Sequence, residues 1–195
     1  MKNEPSIRRA TPADASSIGR VHVTGLHETY SGIMPSEWLA ARTPEERTGR
    51  WKNIIEEPVA CSTIAVFIAE YGGDVCGFAS CGRQRTEFLK GLGFGGEISA
   101  IYVLRRHQRR GIGVALMRKL ISVLLEDGLD AAALWCLAEN IPARRFYECL
   151  GGEFLLEQAG PEIHAGQLEI AYGWRSLASL AARLEARSEA NADSQ

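Results

Sequence analysis

The chain has no run of 18 apolar residues, no C-x-x-C pair and no G-x-x-x-x-G-K-[ST] loop. The first absence argues against a membrane-spanning helix, the second against a cysteine-framed metal or redox site, and the third against a P-loop. Internal repeats and low-complexity tracts are missing as well. The opening MKNEPSIRRATPAD contains no apolar h-region, so the expectation is a soluble, cytoplasmic protein. Charge of neither sign dominates: 22 Lys and Arg stand against 24 Asp and Glu. Neither nucleic acid nor an anionic membrane is therefore expected as the main partner. The cysteines, Cys61, Cys76, Cys81, Cys136 and Cys149, are odd in number. The first four lie in or beside apolar strand-like runs and Cys149 lies in a helical pattern. They read as small reduced core residues, which favours a reducing cytoplasm. At 195 residues the chain fits one domain with a well-buried core.

What is present centres on residues 98–120, ISAIYVLRRHQRRGIGVALMRKL. Ile98, Ile101 and Val103 open it as a β-branched strand. A basic, glycine-containing turn follows over 105–113. Ile112, Leu116, Leu120 and Val123 then take helical spacing. Strand, glycine turn and helix aim several free backbone N–H groups at one point, where the helix dipole adds partial positive charge. A phosphate or pyrophosphate is the usual occupant. Gly111 and Gly113 remove side chains that would keep it away, and Gln108, Arg109 and Arg110 surround the point with donors and positive charge.

The remainder divides readily. A first strand is expected over 6–9, then a helix opened by Thr11-Pro12-Ala13-Asp14 and ending near Tyr30-Ser31-Gly32. A short helix around Trp38 and Leu39 and a third over 45–57 follow. Strands over 62–71 and 75–81 flank the turn Gly72-Gly73-Asp74 as a hairpin. After a glycine-rich connection over 83–96 come the central strand over 97–104 and its helix to about Asp127, stopped by Gly128. A buried strand over 131–137, a helix over 143–150 and a hairpin from 153–157 and 167–174 complete the domain, which is placed at 1–176. Leu177, Leu180 and Leu184 suggest a final helical turn, and the polar tail over 188–195 is expected to be disordered.

The spacing Gln108-x-x-Gly111-x-Gly113 resembles the acyl-CoA-binding signature of the GCN5-related N-acetyltransferase (GNAT) superfamily, Q/R-x-x-G-x-G/A. Asn140-Ile141-Pro142-Ala143-Arg144-Arg145-Phe146-Tyr147-Glu148 is similar to that superfamily's N-x-x-A-x-x-F-Y-E. Tyr30, Gly32 and Pro35 match the Tyr-x-Gly-x-x-Pro region of many bacterial members. The resemblance spans roughly residues 5–175. It implies an α/β (α+β) fold: a mixed, mostly antiparallel central sheet, splayed at the cofactor site, with helices on both faces. It also implies acetyl-CoA as co-substrate, no metal, and a small-molecule or peptide amine as acceptor, with room for a homodimer. Pantetheine would lie between the central strand and the 131–137 strand, on the backbone of Ile101, Tyr102 and Val103, with the Ile101 N–H polarising the thioester carbonyl. Gln108, Arg109, Arg110, Gly111, Ile112 and Gly113 would hold the pyrophosphate and Asn140 the cofactor arm.

Transfer to an amine needs two proton movements. A departing thiolate needs a proton, and the resemblance assigns its donor as Tyr147; the plainer reading is an aromatic of the helix core. An ammonium has no lone pair, so a base must first remove a proton, and Glu97 at the head of the central strand is the candidate. Four strand residues separate it from Ile101, about 13 Å, so a water relay is expected, with Ser99 placed between them by strand alternation to orient it. The plainer reading of Glu97 is a solvated acid at a strand end.

Several patterns mislead. Gly91-Leu92-Gly93-Phe94-Gly95-Gly96 satisfies G-x-G-x-x-G, but a loop precedes it and a strand follows, the reverse of a dinucleotide site. Arg105, Arg106, His107, Arg109 and Arg110 fit a phosphate clamp better than a nucleic-acid patch. His22 and His27 are five apart and lack a third ligand, so they read as ordinary helix residues. For the acceptor, Tyr30, Trp38 and Phe94 are candidate aromatic walls, and Glu28, Glu37 and Glu87 candidate attractors of a cationic amine. The competing reading of the whole chain is a non-catalytic acyl-CoA-binding sensor with the same clamp.

Overall fold

The computed structural model describes residues 5–160 and 166–192. Its strands are β1 (Ser6–Arg9), β2 (Thr63–Tyr71), β3 (Asp74–Arg83), β4 (Gly96–Val103), β5 (Ala132–Leu137), β6 (Glu153–Ala159) and β7 (Leu168–Trp174). Helices α1 (Ala15–Tyr30), α2 (Ser36–Ala40) and α3 (Pro44–Glu56) separate β1 from β2, and α4 (Glu87–Gly91) precedes β4. Helix α5 (Ile112–Glu126) links β4 to β5, α6 (Ile141–Cys149) follows β5, and α7 (Leu177–Ala192) follows β7. One sheet results, in the order β1-β2-β3-β4-β5-β7-β6. Every neighbouring pair is antiparallel except β4 and β5, which the α5 crossover makes parallel. This is the mixed, mostly antiparallel sheet with helices on both faces.

Strand alternation, reset by a β-bulge at Cys76, sends Ala65, Phe67, Ala69, Cys76, Ala79 and Cys81 to one face, where Leu116, Leu120 and Leu124 of α5 cover them. On the other face Ile18, Val21 and Trp51 of α1 and α3 cover Val66, Ile68 and Phe78. Leu89 and Phe94 cover Ala133 and Ala171. Phe94 is fully buried there, so it is core and not the acceptor wall that the sequence suggested. The expected terminal helical turn is a 16-residue helix, because Leu177, Leu180 and Leu184 recur on one face and pack into the α5 side of the core. The polar tail is helical as far as Ala192, and 193–195, like 1–4, lie outside the described residues.

Two buried polar groups fasten α1. Asp14 accepts from the Thr11 N–H at 2.7 Å and from both Arg8 guanidinium nitrogens at 2.7 and 2.8 Å. Those Arg8 bonds hold its carboxyl well below the usual carboxylate range. His22 accepts through Nδ1 from Trp51 Nε1 at 2.9 Å, which ties α1 to α3. Burial, then the charges of Arg47, Arg50 and Arg42, push His22 down to about 3. Its folded value lies below its unfolded one, so the unfolded chain binds the extra proton and stability falls as pH drops from about 6.5 toward that value. Urea midpoints should fall between pH ~6.5 and ~4.5, and His22→Gln, which still offers Trp51 an acceptor, should flatten that slope. An unchanged slope would show that His22 does not govern it.

Candidate active site

The site begins where the sheet comes apart. β4 and β5 pair only at Gly96 with Ala132 and at Glu97 with Ala133, yet β4 runs on to Val103 and β5 to Leu137. Beyond Glu97 the edge of β4 that faces β5 has no ladder partner among the described residues, and it lines an open wedge. A β-bulge at Ser99 sharpens the divergence: Ser80 pairs with Ala100 while Cys81 pairs with Ile98. The bulge also corrects the expected alternation. Ile98, Ile101 and Val103 pack toward α5, whereas Ala100 and Tyr102 pack toward α1 and α3, so Glu97 and Ile101 send their side chains to opposite faces. Nothing in Ile98-Ser99-Ala100 announces that break.

Two helices start at the mouth of the wedge, one after each parallel strand. In α5 the Ala115 N–H bonds to the Gly111 carbonyl at 2.9 Å, leaving the N–H groups of Ile112, Gly113 and Val114 without a helical acceptor. Gly111 caps the helix at φ +77°, and a Cβ placed there would meet nothing within 4 Å. Its place is open space in a left-handed conformation. Arg109 is left-handed too, at φ +62°. Gly113 is different. A Cβ there would come 3.3 Å from the Phe146 ring, so this glycine lets α5 start against α6, and its part in any anion site is its N–H alone. Gln108 donates through Nε2 to the Val103 carbonyl at 2.9 Å and thereby closes the turn onto β4. Arg110 lies over the Tyr71 ring, 5.0 Å from its centroid. At the second helix, Asn140 caps α6 by accepting from the Ala143 N–H at 3.3 Å.

Tyr147 of α6 is buried, with the rings of Tyr172 and Trp174 at 6.0 and 6.2 Å. Burial pushes its phenol far above the ordinary value, and the neighbours that act on it are Cys136 of β5 and Tyr30 of α1. Cys136 packs on the α5 face of the sheet and Tyr30 with the cluster on the opposite face, so Tyr147 feels groups from both faces. Tyr30 in turn interacts through its hydroxyl with Tyr102 and Asn140, and burial raises both of these tyrosines. Three protonated phenols thus meet where β4 and β5 diverge.

Glu97 sits at the closed end of the wedge and is buried. Oε2 accepts from the Arg85 backbone N–H and from its Nε, each at 3.0 Å, and Oε1 accepts from Arg85 Nη2. Of roughly four acceptor positions on a carboxylate, Arg85 takes three. Glu97, Ser99, Arg85, Ser62 and Thr63 border a cavity of about 10 Å³, the size of one water. Ser99 is further held by Ser80, oxygen to oxygen at 2.9 Å. A larger cavity of about 360 Å³ between α6 and α7 touches neither signature's turn nor the wedge. Among the described residues no cluster of His, Cys, Asp or Glu is placed to hold a metal ion, and no helix is long and apolar enough to cross a membrane.

Two of the three acids expected to draw in a cationic amine hold other partners. Glu28 accepts from the Arg105 backbone N–H at 2.7 Å, Glu87 pairs with Lys90 at 2.6 Å, and Glu37 stands exposed on α2. Tyr30 and Trp38 pack edge to face, ring centroids 6.3 Å apart, in a cluster with Met34 and Leu137. Arg85 escaped the sequence reading because it lies in a loop, 12 residues before its partner Glu97.

A sheet split between parallel strands, with a helix N-terminus at the split, defines the class of acyl-transferring enzymes that thread an extended cofactor between two strands. The chain belongs to the Acetyltransferase (GNAT) family, which it matches over residues 24–151, and it is an acetyltransferase. It is 32% identical over 176 residues to the uncharacterized N-acetyltransferase YuaI of Bacillus subtilis, covering 90% of this chain and 95% of that one. Among solved structures it resembles the PaiA N-acetyltransferase of Thermoplasma acidophilum in complex with coenzyme A, at 16% identity and a TM-score of 0.69, over 88% of this chain and 99% of that one. It also resembles yncA of Salmonella typhimurium, solved with its cofactor acetyl-CoA, at 21% identity and a TM-score of 0.65, over 89% and 94% of the two chains.

Proposed function

We propose that the protein transfers an acetyl group from acetyl-CoA to a primary amine by direct attack, with both substrates bound at once, in a reducing cytoplasm. The observation that carries this is the wedge: two strands that part after two paired positions, with a capped helix N-terminus at the mouth and a buried phenol inside. The residues present fit the cofactor. The unpartnered N–H groups of Ile112, Gly113 and Val114 and the open space at Gly111 suit a pyrophosphate, with Arg109 and Arg110 adding charge. The free edge of β4 over Ile101, Tyr102 and Val103 suits the pantetheine amides, and Asn140 the far side of the arm. Bound there, acetyl-CoA supplies a thioester whose carbonyl carbon is the electrophile.

The chain supplies the rest. Tyr30 and Trp38 wall the acceptor's approach from the α1 face. Glu97, through one water held with Ser99, takes the proton that the amine loses. The Ile101 N–H donates to the carbonyl oxygen as negative charge grows on it. As the carbon–nitrogen bond forms and the carbon–sulfur bond breaks, Tyr147 gives its hydroxyl proton to sulfur. Its raised pKa keeps that proton available throughout the neutral range.

Thiol release from acetyl-CoA with a panel of primary amines tests the reading. Amine-dependent release supports it. Tight acetyl-CoA binding without release for any amine would favour a sensor. The clamp has its own test: Gly111→Ala forces a Cβ into a left-handed position at a cost of about 1–2 kcal/mol and into the space assigned to phosphate. Calorimetry should show acetyl-CoA affinity reduced at least about tenfold in a protein with unchanged circular dichroism. Unchanged affinity would move the pyrophosphate elsewhere.

A further inference from the structure

Beside the acceptor wall lies a group of positive charges that the transfer chemistry does not use. Arg47, on the inner side of α3 one turn before Trp51, is only 8% exposed. Its Nε–H is buried and has no hydrogen-bond acceptor among the described residues. Glu46 comes within 3.0 Å of that nitrogen, but out of line with the N–H, and its side chain is 47% exposed to screening water. Arg42 lies flat on Trp38, its guanidinium carbon 3.3 Å from the ring centroid, and donates to the Trp38 carbonyl at 2.5 Å. With Arg50 these three guanidiniums all act on His22, whose ring is 4.8 Å from that of Tyr102. Burial lowers both Arg42 and Arg47, and the neighbouring guanidiniums add to it while Glu46 opposes it.

Packing accounts for part of this. An arginine stem fills space between helices well. It does not account for a buried Arg47 Nε–H left without an acceptor among the described residues. We infer that the acceptor amine carries an anionic group, a carboxylate or a phosphoryl group, which Arg47 and Arg42 bind beside Tyr102. A guanidinium fork matches either group with two parallel hydrogen bonds. The inference rests on the acetyltransferase reading and adds the acceptor's chemistry.

The test uses the full chain and matched acceptors: α-amino acids against their amides, and aminoalkyl phosphonates against the corresponding amino alcohols. The acidic member of each pair should be favoured about 10–100-fold in kcat/KM. Carboxylate pairs against phosphonate pairs show which anion is preferred. Arg47→Gln should remove that preference through KM, with acetyl-CoA affinity unchanged. Arg50→Gln, at an exposed position, should reduce it in part and guards against a misfolded Arg47 variant. Equal rates within pairs, or equal losses for both members in Arg47→Gln, would overturn the inference. In parallel, calorimetric titration of the CoA-saturated protein with malonate and with phosphate should show binding that Arg47→Gln abolishes; no binding of either overturns the inference even where no amine turns over. Failure of acetyl-CoA itself to bind would remove the acetyltransferase reading instead, and the anion titration of the unliganded chain would still report on Arg47.

Discussion

Replacing Tyr147 by phenylalanine is expected to slow acetyl transfer by about 10²–10⁴-fold, the usual scale for a general acid. The ring stays among Phe146, Tyr172 and Trp174, so the α6 core is kept and only the hydroxyl in the wedge is lost. Because burial holds this phenol protonated far above neutrality, the wild-type enzyme should keep its donor through the neutral and mildly alkaline range. High pH supplies no substitute donor, so Tyr147→Phe should stay slow at every pH, with acetyl-CoA affinity close to wild type. A rate–pH profile checks this. Recovery of the variant at high pH, or a near-normal rate, would leave Tyr147 a core aromatic only.

Glu97→Gln should fail in the opposite way. Glutamine keeps one acceptor toward Arg85 but has no affinity for the amine's proton. Near neutral pH the loss should again be about 10²–10⁴-fold. As pH climbs, more of the acceptor is neutral before it binds, and the variant should regain rate. The one-water cavity between Glu97 and Ser99 adds a control. Ser99→Ala should cost less than Glu97→Gln, since it loosens the relay water without removing the base. A pH-independent loss in Glu97→Gln would assign Glu97 to holding Arg85 and the 84–95 segment in place rather than to proton removal.

Parts of this arrangement were legible in the chain because they are local. The change from strand to helical spacing across Ile98 to Leu120 and the glycine turn at Gly111 that separates them each act within a few residues. The bulge at Ser99 was not legible, since small residues on a strand are compatible with either register and the shift is set by β3. Glu97 was found as an acid at a strand head, but its bidentate partner Arg85 comes from a loop whose path no short-range rule predicts. Gly113 was misread for a related reason. The motif names a glycine, and only the packing of α6 shows that Phe146 fills the space beside it. The acids chosen as amine attractors failed on partners too: Glu28 is claimed by the turn at Arg105, 77 residues on.

The most direct test is a crystal structure of the full chain with acetyl-CoA. The sulfur is expected in the wedge between β4 and β5, within hydrogen-bond reach of the Tyr147 hydroxyl, with the thioester carbonyl facing the Ile101 N–H and the pyrophosphate on the N–H groups of Ile112 to Val114. Acetyl-CoA bound elsewhere, with β4 and β5 empty between them, would contradict the account.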